Sequence, residues 1–497
     1  MARIKDSEII AVFSLIGLVL LGAGLRCLAL SEEAAWGDEA LTTVCFPADN
    51  FSGYLRCVFA EDDRLRIAPV YYGGQYLWSL LFGGGLLALR LMSVFLYVIA
   101  SVQLYVLVRS IGNHRAAWWA VFFFSVSLFS IYYGQEVRFY ALMNVFALAA
   151  MQGALWYVRG HLRSGLILAL LGNVGLVWTH TFSVVFVLGL GLYMLRFWRQ
   201  PRVLLLWMGA HSLMAMGLFG WLGWLHYDFG GQSAAYGDMP AGLRELLSTA
   251  LQFFGGRFSN INPAVYMPGG LSLDVAIGGL ALAAVLYGLW HSWYKARAAE
   301  NGGWAPGEIM LLLVCLVTPV LLLFFLGRLW RPCFFTRYVI YAALPLYALM
   351  GLGLAAIPGK QMSRLAGLAF VLMFSWQVLA LPRPFRADYG AVVRAIASDP
   401  SENQVALALK PFNYDAVVYA LRDSGVETEL LYGLKEIAGI SIARVHEGYS
   451  VWAVFYRWDD LASFEARMEE AGLVARRFES AGMPPLTIYH VVAKKKP

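Results

Sequence analysis

The chain has 497 residues, 60% of them hydrophobic and only 14% charged, with a mean hydropathy of +0.61 and a formal net charge of +6. Soluble chains are about 25% charged, so this composition excludes a cytosolic enzyme, a disordered protein and a nucleic-acid binder. It predicts a polytopic α-helical membrane protein, in which the side each cation occupies matters more than the total.

Arg3 and Lys5 precede the first apolar run, residues 8–30. That run is longer than a signal-peptide core and no small-x-small cleavage site follows, so it reads as a retained span. Further apolar windows fall at 86–109, 115–133, 138–158, 163–179, 181–198, 203–227, 272–293, 308–329, 336–357 and 363–381. The total is about eleven spans. The shorter apolar stretch 70–82 reads as a re-entrant or interfacial helix. With the N-terminus in the cytoplasm, every inner loop is basic. Those loops carry Arg109 and Arg115, Arg159 and Arg163, Arg196, Arg199 and Arg202, Lys295 and Arg297, and Lys360 and Arg364.

An odd number of spans places the tail outside. The other long outer segments are 31–85 and 228–271. In the second, Leu243, Leu246, Leu247, Leu251 and Phe254 recur at helical spacing, predicting an amphipathic helix on the membrane surface. From residue 383 the composition changes. Helix patterns at 389–398, 414–421 and 461–471 alternate with strand patterns at 404–409, 427–432, 450–456, 474–478 and 486–492. They predict a small extracytoplasmic α/β domain, 383–497, after a membrane domain, 1–382. No GxGxxG follows a strand there, so nucleotide binding has no support, and no internal repeat of the transporter kind is visible.

Five cysteines are too few for a disulfide scaffold, and no CxxC pair points to zinc or redox chemistry. Cys45 and Cys57 share the first outer loop. They are either bonded, closing a short loop worth roughly 3 kcal/mol in the chain-entropy model, or free buried thiols; Cys333 competes as a partner.

The polar residues of the outer face are the informative ones, because the positive-inside rule does not explain them. Trp36-Gly37-Asp38-Glu39 follows the first span. Its adjacent carboxylates suit a base and a metal ligand, or equally a solvated loop or helix cap. Gln135-Glu136-Val137-Arg138-Phe139-Tyr140 lies where a short outer turn meets the bilayer. Glu136 and Arg138 either form an interfacial salt bridge or grip a phosphate. His180 and His226 end spans on the same face, where a lone histidine is most often a packing residue. Arg328, Arg331 and Arg337 crowd one outer segment, with Arg66, Arg90 and Arg257 elsewhere outside. Arginine's planar fork matches phosphate oxygens. Trp36, Tyr71, Tyr72, Tyr133 and Trp330 either stack on a sugar or anchor the interface.

Taken in order, these elements resemble the GT-C glycosyltransferases of the protein O-mannosyltransferase and aminoarabinose-transferase (ArnT-like) type. The resemblance covers most of residues 1–390. It rests on Trp36–Glu39 after the first span, Pro69-Val70-Tyr71-Tyr72 followed by Ala88-Leu89-Arg90-Leu91, the Gln135–Tyr140 segment, His180, and Arg337-Tyr338 entering a span with Pro345. The tail from Phe385-Arg386-Ala387-Asp388-Tyr389 is similar to the outer domain of bacterial members. The chain departs from the family at Ile67-Ala68-Pro69, where His-Pro-Pro is common, and at Thr181, where an aromatic is common.

The resemblance implies an enzyme of the outer face of the bacterial inner membrane. It would transfer a hexose or pentose from a polyprenyl phosphate, undecaprenyl by its bacterial style, to a hydroxyl of a glycan, lipid or protein. It makes Asp38 the base, with Glu39 orienting Asp38, holding the acceptor or helping to hold a divalent ion near Asp38. Arg138, Arg331 and Arg337 would be the leading phosphate ligands, supported by Arg66 and Arg257. Tyr72, Arg90, Gln135, Glu136, Tyr140, His180 and Tyr338 would complete the substrate site. A single displacement with one base predicts inversion at the anomeric carbon. A lipid-linked sugar flippase and a polyprenyl-linked polymer ligase are the competing classes. Span interiors nearly free of ionisable residues argue against the first, and the early Asp-Glu pair against the second.

Overall fold

A computed structural model of the chain describes residues 6–494 apart from 29, 32–34, 36, 47, 62–68, 230–240, 256–278, 281, 284–285, 288–289, 292–293, 295–305, 331–332, 380–387, 402, 410–413, 422–423, 432–433, 457–460 and 481–485. The helices of the first half are α1 (Asp6–Cys27), α2 (Gly37–Thr43), α3 (Phe51–Glu61), α4 (Pro69–Phe82), α5 (Leu86–Ile111), α6 (His114–Val126), α7 (Leu128–Tyr133), α8 (Tyr140–Val158), α9 (Leu162–Thr179) and α10 (Val184–Met194). They continue as α11 (Pro201–Phe229), α12 (Leu243–Gly255), α13 (Pro306–Leu329), a 3-10 turn (Thr336–Ala342) running into α14 (Ala343–Ala356), and α15 (Lys360–Leu379).

Eight helical segments among the described residues are long and apolar enough to cross a membrane. They correspond to expected spans. The remaining three expected spans take other forms. Segment 115–133 is two helices, because Ser127 between α6 and α7 is extended (φ −61°, ψ 123°). Segment 181–198 is a 3-10 turn, α10 and a second 3-10 turn, too short for the same criterion. Most of 272–293 lies outside the described residues. The shorter apolar stretch 70–82, expected as a re-entrant or interfacial helix, is the helix α4.

α8 and α9 pack closely as a helical hairpin. Gly160, at φ 94°, occupies the left-handed conformation that their short connection needs. A Cβ on Gly153 would stand 2.2 Å from the Ala169 nitrogen, and one on Gly165 2.3 Å from the Tyr157 nitrogen. Glycine thus lets the two backbones touch, which suits helices in lipid, where packing rather than water exclusion drives association.

The C-terminal part holds α16 (Tyr389–Ala397), β1 (Gln404–Leu409), α17 (Tyr414–Leu421), β2 (Glu427–Leu431), α18 (Leu434–His446), β3 (Ser450–Tyr456), α19 (Leu461–Glu470), β4 (Leu473–Glu479) and β5 (Leu486–Ala493). The five strands form one sheet in the order β2-β1-β3-β5-β4, with β1 parallel to β2 and β3, and β5 antiparallel to β3 and β4. Helices cover both faces, over Ala406, Trp452 and Ile488 on one and Val405, Phe455 and Tyr489 on the other. The expected boundary at 382/383 lies outside the described residues. The domain packs onto the rest through α17, which rests against α2.

Candidate active site

α2 carries Asp38 and Glu39 in its first turn, where the N-terminal dipole favours acids. The two carboxylates have opposite fates. Glu39 is fully buried. Its oxygens accept from Arg90 Nε at 3.1 Å and Nη2 at 2.6 Å, and from the Val137 amide at 2.9 Å. Arg90, also fully buried, donates its remaining arm to the Leu30 carbonyl at 2.8 Å. This pair ties α2, α5 and the loop before α8 together.

Asp38 keeps 23% of its side chain exposed. Its Oδ2 faces two guanidinium groups, Arg138 Nη2 at 3.6 Å and Arg337 Nη1 at 3.8 Å. Arg138 Nη1 also donates to the Asp38 carbonyl at 3.3 Å. The Nε groups of Arg138 and Arg337 are buried and have no hydrogen-bond partner among the described residues. Burial opposes the Arg138 charge, but Asp38 together with Tyr72 and Tyr140 raises the guanidinium pKa above its usual value. One carboxylate and two cations from three separate chain segments therefore meet at one end of the bundle.

Aromatic rings wall this cluster. The His180 ring lies 4.9 Å from Phe139 and 4.5 Å from Tyr338, centroid to centroid. Tyr140 packs 4.9 Å from both Tyr133 and Phe139. Tyr71 stands edge-on to Tyr72 and to Phe139. Burial, reinforced by Arg138 and Arg337, pushes the His180 imidazole down to about 3, so it is neutral at physiological pH. Its Nδ1 has no hydrogen-bond partner among the described residues. A neutral ring here suits a sugar hydroxyl better than a phosphate.

Gln135 and Glu136 are buried beneath the loop. Gln135 Nε2 donates to the carbonyls of Arg26 (2.8 Å) and Leu28 (3.2 Å), and Ser93 Oγ donates to the Glu136 carbonyl at 2.5 Å. The structure thus brings Asp38, Glu39, Tyr72, Arg90, Gln135, Glu136, Arg138, Tyr140, His180, Arg337 and Tyr338 into one connected region. Arg66, Arg257 and Arg331 lie outside the described residues. A disulfide joins Cys45 to Cys57 just after α2, and Cys333 is a free buried thiol.

Two features were not expected from sequence. α12 turns Thr249, Gln252 and Phe253 inward, with Thr249 Oγ1 2.7 Å from Thr336 Oγ1, and leaves Leu243 and Leu247 exposed. Arg26, near the end of the first span, is fully buried beside the site. An arginine late in an apolar run with no nearby acid is the signal that points to it.

No family model matches the chain, and no curated protein matches it. Solved structures do. The Archaeoglobus fulgidus oligosaccharyltransferase in complex with Zn and sulfate aligns with a TM-score of 0.50 at 12% identity, over 96% of this chain and 73% of that one. The chain shares the fold of that oligosaccharyltransferase. Two further matches are ArnT from Cupriavidus metallidurans bound to undecaprenyl phosphate (TM-score 0.46, 12% identity, 97% of this chain and 99% of that one) and A. fulgidus AglB in complex with an inhibitory peptide and a dolichol-phosphate (0.49, 12%, 90% and 70%).

Proposed function

We propose that this protein is an integral-membrane glycosyltransferase that moves a sugar from a polyprenyl-phosphate donor to an acceptor hydroxyl. The observation that carries this reading is the meeting of Asp38 with Arg138 and Arg337 against an aromatic wall. The fold likeness supports it, since the matched enzymes include an oligosaccharyltransferase and structures bound to undecaprenyl phosphate or a dolichol-phosphate. We place the site on the outer face of a bacterial inner membrane, because the basic loops then all lie inside.

In the reaction, the acceptor oxygen attacks the anomeric carbon and the carbon–oxygen bond to the phosphate breaks. The polyprenyl phosphate leaves with the bonding electrons, and the acceptor proton passes to Asp38. Arg138 and Arg337, with Arg331 and more distantly Arg66 and Arg257, neutralise the leaving phosphate in a site already oriented for it. In the free protein both arginines face Asp38. A donor phosphate competes for the same N–H groups, so donor binding draws the cations off the carboxylate as it is needed as a base. Glu39, held by Arg90 and Val137, fixes α2 and hence Asp38. Tyr72, Gln135, Glu136, Tyr140, His180 and Tyr338 shape the sugar pocket.

The acids fit a divalent ion poorly. Asp38 faces two cations, Glu39 is engaged by Arg90 and Val137, and no three His, Cys, Asp or Glu side chains converge among the described residues.

The test is a panel of polyprenyl-phosphate sugars offered to the protein in lipid, with a membrane extract as acceptor. Release of polyprenyl phosphate with an inverted product linkage supports the reading. Retention of configuration contradicts the single displacement. Passage of intact lipid across a vesicle bilayer without release favours the flippase class.

A further inference from the structure

Arg26 is a full charge with no carboxylate partner among the described residues, buried in a span where such a group is costly. Its hydrogen bonds show where it acts. Nη1 donates to the carbonyls of Gly22 (2.9 Å) and Ser125 (3.0 Å), and Nη2 to the carbonyl of Phe124 (3.0 Å) and to Ser130 Oγ (2.6 Å). Phe124 and Ser125 lie in the last turn of α6, where the break at Ser127 strips carbonyls of their helical donors. Ser130 lies in α7, beyond the break. The guanidinium therefore bridges the two halves of the broken span, and its charge suits the negative end of α6.

The surroundings are shaped to admit it. Its guanidinium carbon lies 3.6 Å from the Tyr97 ring centroid, and that ring has room because residue 22 is glycine: a Cβ there would stand 1.8 Å from Tyr97 Oη. A Cβ on Gly134 would stand 2.6 Å from Arg26 Nε. Gly134 opens the loop that leads to Arg138, and the Arg26 carbonyl accepts from Gln135 in that same loop.

We infer that Arg26 is a positioning residue that clamps the break between α6 and α7 and thereby sets the Gly134–Arg138 loop against Asp38. The consequence for catalysis rests on the transferase reading; the consequence for the loop does not. Two variants test both. Arg26→Met removes the clamp together with its burial cost. Gly134→Ala keeps the charge but displaces the guanidinium and presses on the Ser130 carbonyl, 2.8 Å from the added Cβ, at a backbone conformation (φ −79°, ψ −4°) that alanine accepts.

In each variant, hydrogen exchange of the Gln135 and Val137 amides is expected to rise by about tenfold while exchange in β3 and α9 stays unchanged. Turnover at saturating donor is expected to fall by up to about a hundredfold, with the melting temperature within about 3 °C of wild type. Unchanged loop exchange, or exchange that rises equally in the distant elements, overturns the inference. A loosened loop with unchanged turnover also overturns it. A wild-type protein inert toward every donor removes the transferase reading instead, and the exchange measurement still decides on Arg26.

Discussion

Asp38 and Glu39 are neighbours of the same chemistry, and burial separates them. Glu39, matched by Arg90 and by an amide, acts as a joint; Asp38, partly exposed between two longer ion pairs, is the carboxylate placed to react. Breaking a buried ion pair from one side leaves an uncompensated charge, at a cost of about 3–5 kcal/mol. Arg90→Ala is thus expected to lower the melting temperature in detergent sharply. The double variant Arg90→Met, Glu39→Leu is expected to recover part of the loss, because no buried charge is then left uncompensated, although the Val137 amide and the Leu30 carbonyl lose these partners. Equal losses in the two would show that the pair is not the joint described.

Several of these residues were legible in the sequence because their chemistry conflicts with a membrane: acids and arginines at span ends, in a recurring order. Their division of labour was not legible, since Glu39 and Arg90 are 51 residues apart in the chain and only the fold joins them.

At the scale of elements, long apolar runs marked the spans well, but hydropathy is blind to a break. Ser127 interrupts the third expected span without changing its composition, and Tyr347 Oη donates to its hydroxyl at 2.8 Å from α14, the helix that follows Arg337. α18 was also missed. Its sequence, LKEIAGISIARVH, mixes glycine with β-branched residues of low helix propensity, and tertiary packing of Ile437, Ala438 and Val445 on the sheet prevails.

The sheet contains a polar cluster that predicts a pH response. His490 Nε2 lies 2.8 Å from Ser450 Oγ, with Asp399 3.4 Å away, and its ring stacks on Trp452. Burial lowers the His490 pKa, helped by Arg476 and opposed by Asp399. Burial alone would raise Asp399, but hydrogen bonds from Ser450 and Ser401 outweigh it and lower its pKa. Both groups bind protons more weakly in the folded state than in the unfolded one. Their contribution is therefore present above the unfolded values and lost on acidification, for His490 as pH falls below about 6.5 and for Asp399 below about 4. The domain is expected to melt at lower temperature at pH 5 than at pH 7.5, and His490→Gln to flatten that slope. A wild-type melting temperature constant across this window would contradict the assignment.

For the whole molecule, the C-terminal domain bears on the site through α17, which packs against α2, the helix that carries Asp38. We expect truncation after residue 382 to leave a membrane domain that still binds donor but turns it over more slowly, because α2 loses its support. A truncated protein with full turnover would reduce the domain to acceptor choice or partner binding. The same architecture explains why the reactive groups gather at one end: turns and helix starts bring Asp38, Arg138, His180 and Arg337 together, while the span interiors are mostly apolar packing.

In the proposed reaction Asp38 accepts the acceptor proton while the arginines facing it turn to the donor phosphate. Donor binding and polyprenyl-phosphate release, measured side by side for wild type and Asp38→Asn, test it most directly. Release is expected to fall by about 10²–10⁴-fold with donor affinity retained or increased, since the neutral amide no longer competes for Arg138 and Arg337. Release at the wild-type rate by Asp38→Asn would contradict it.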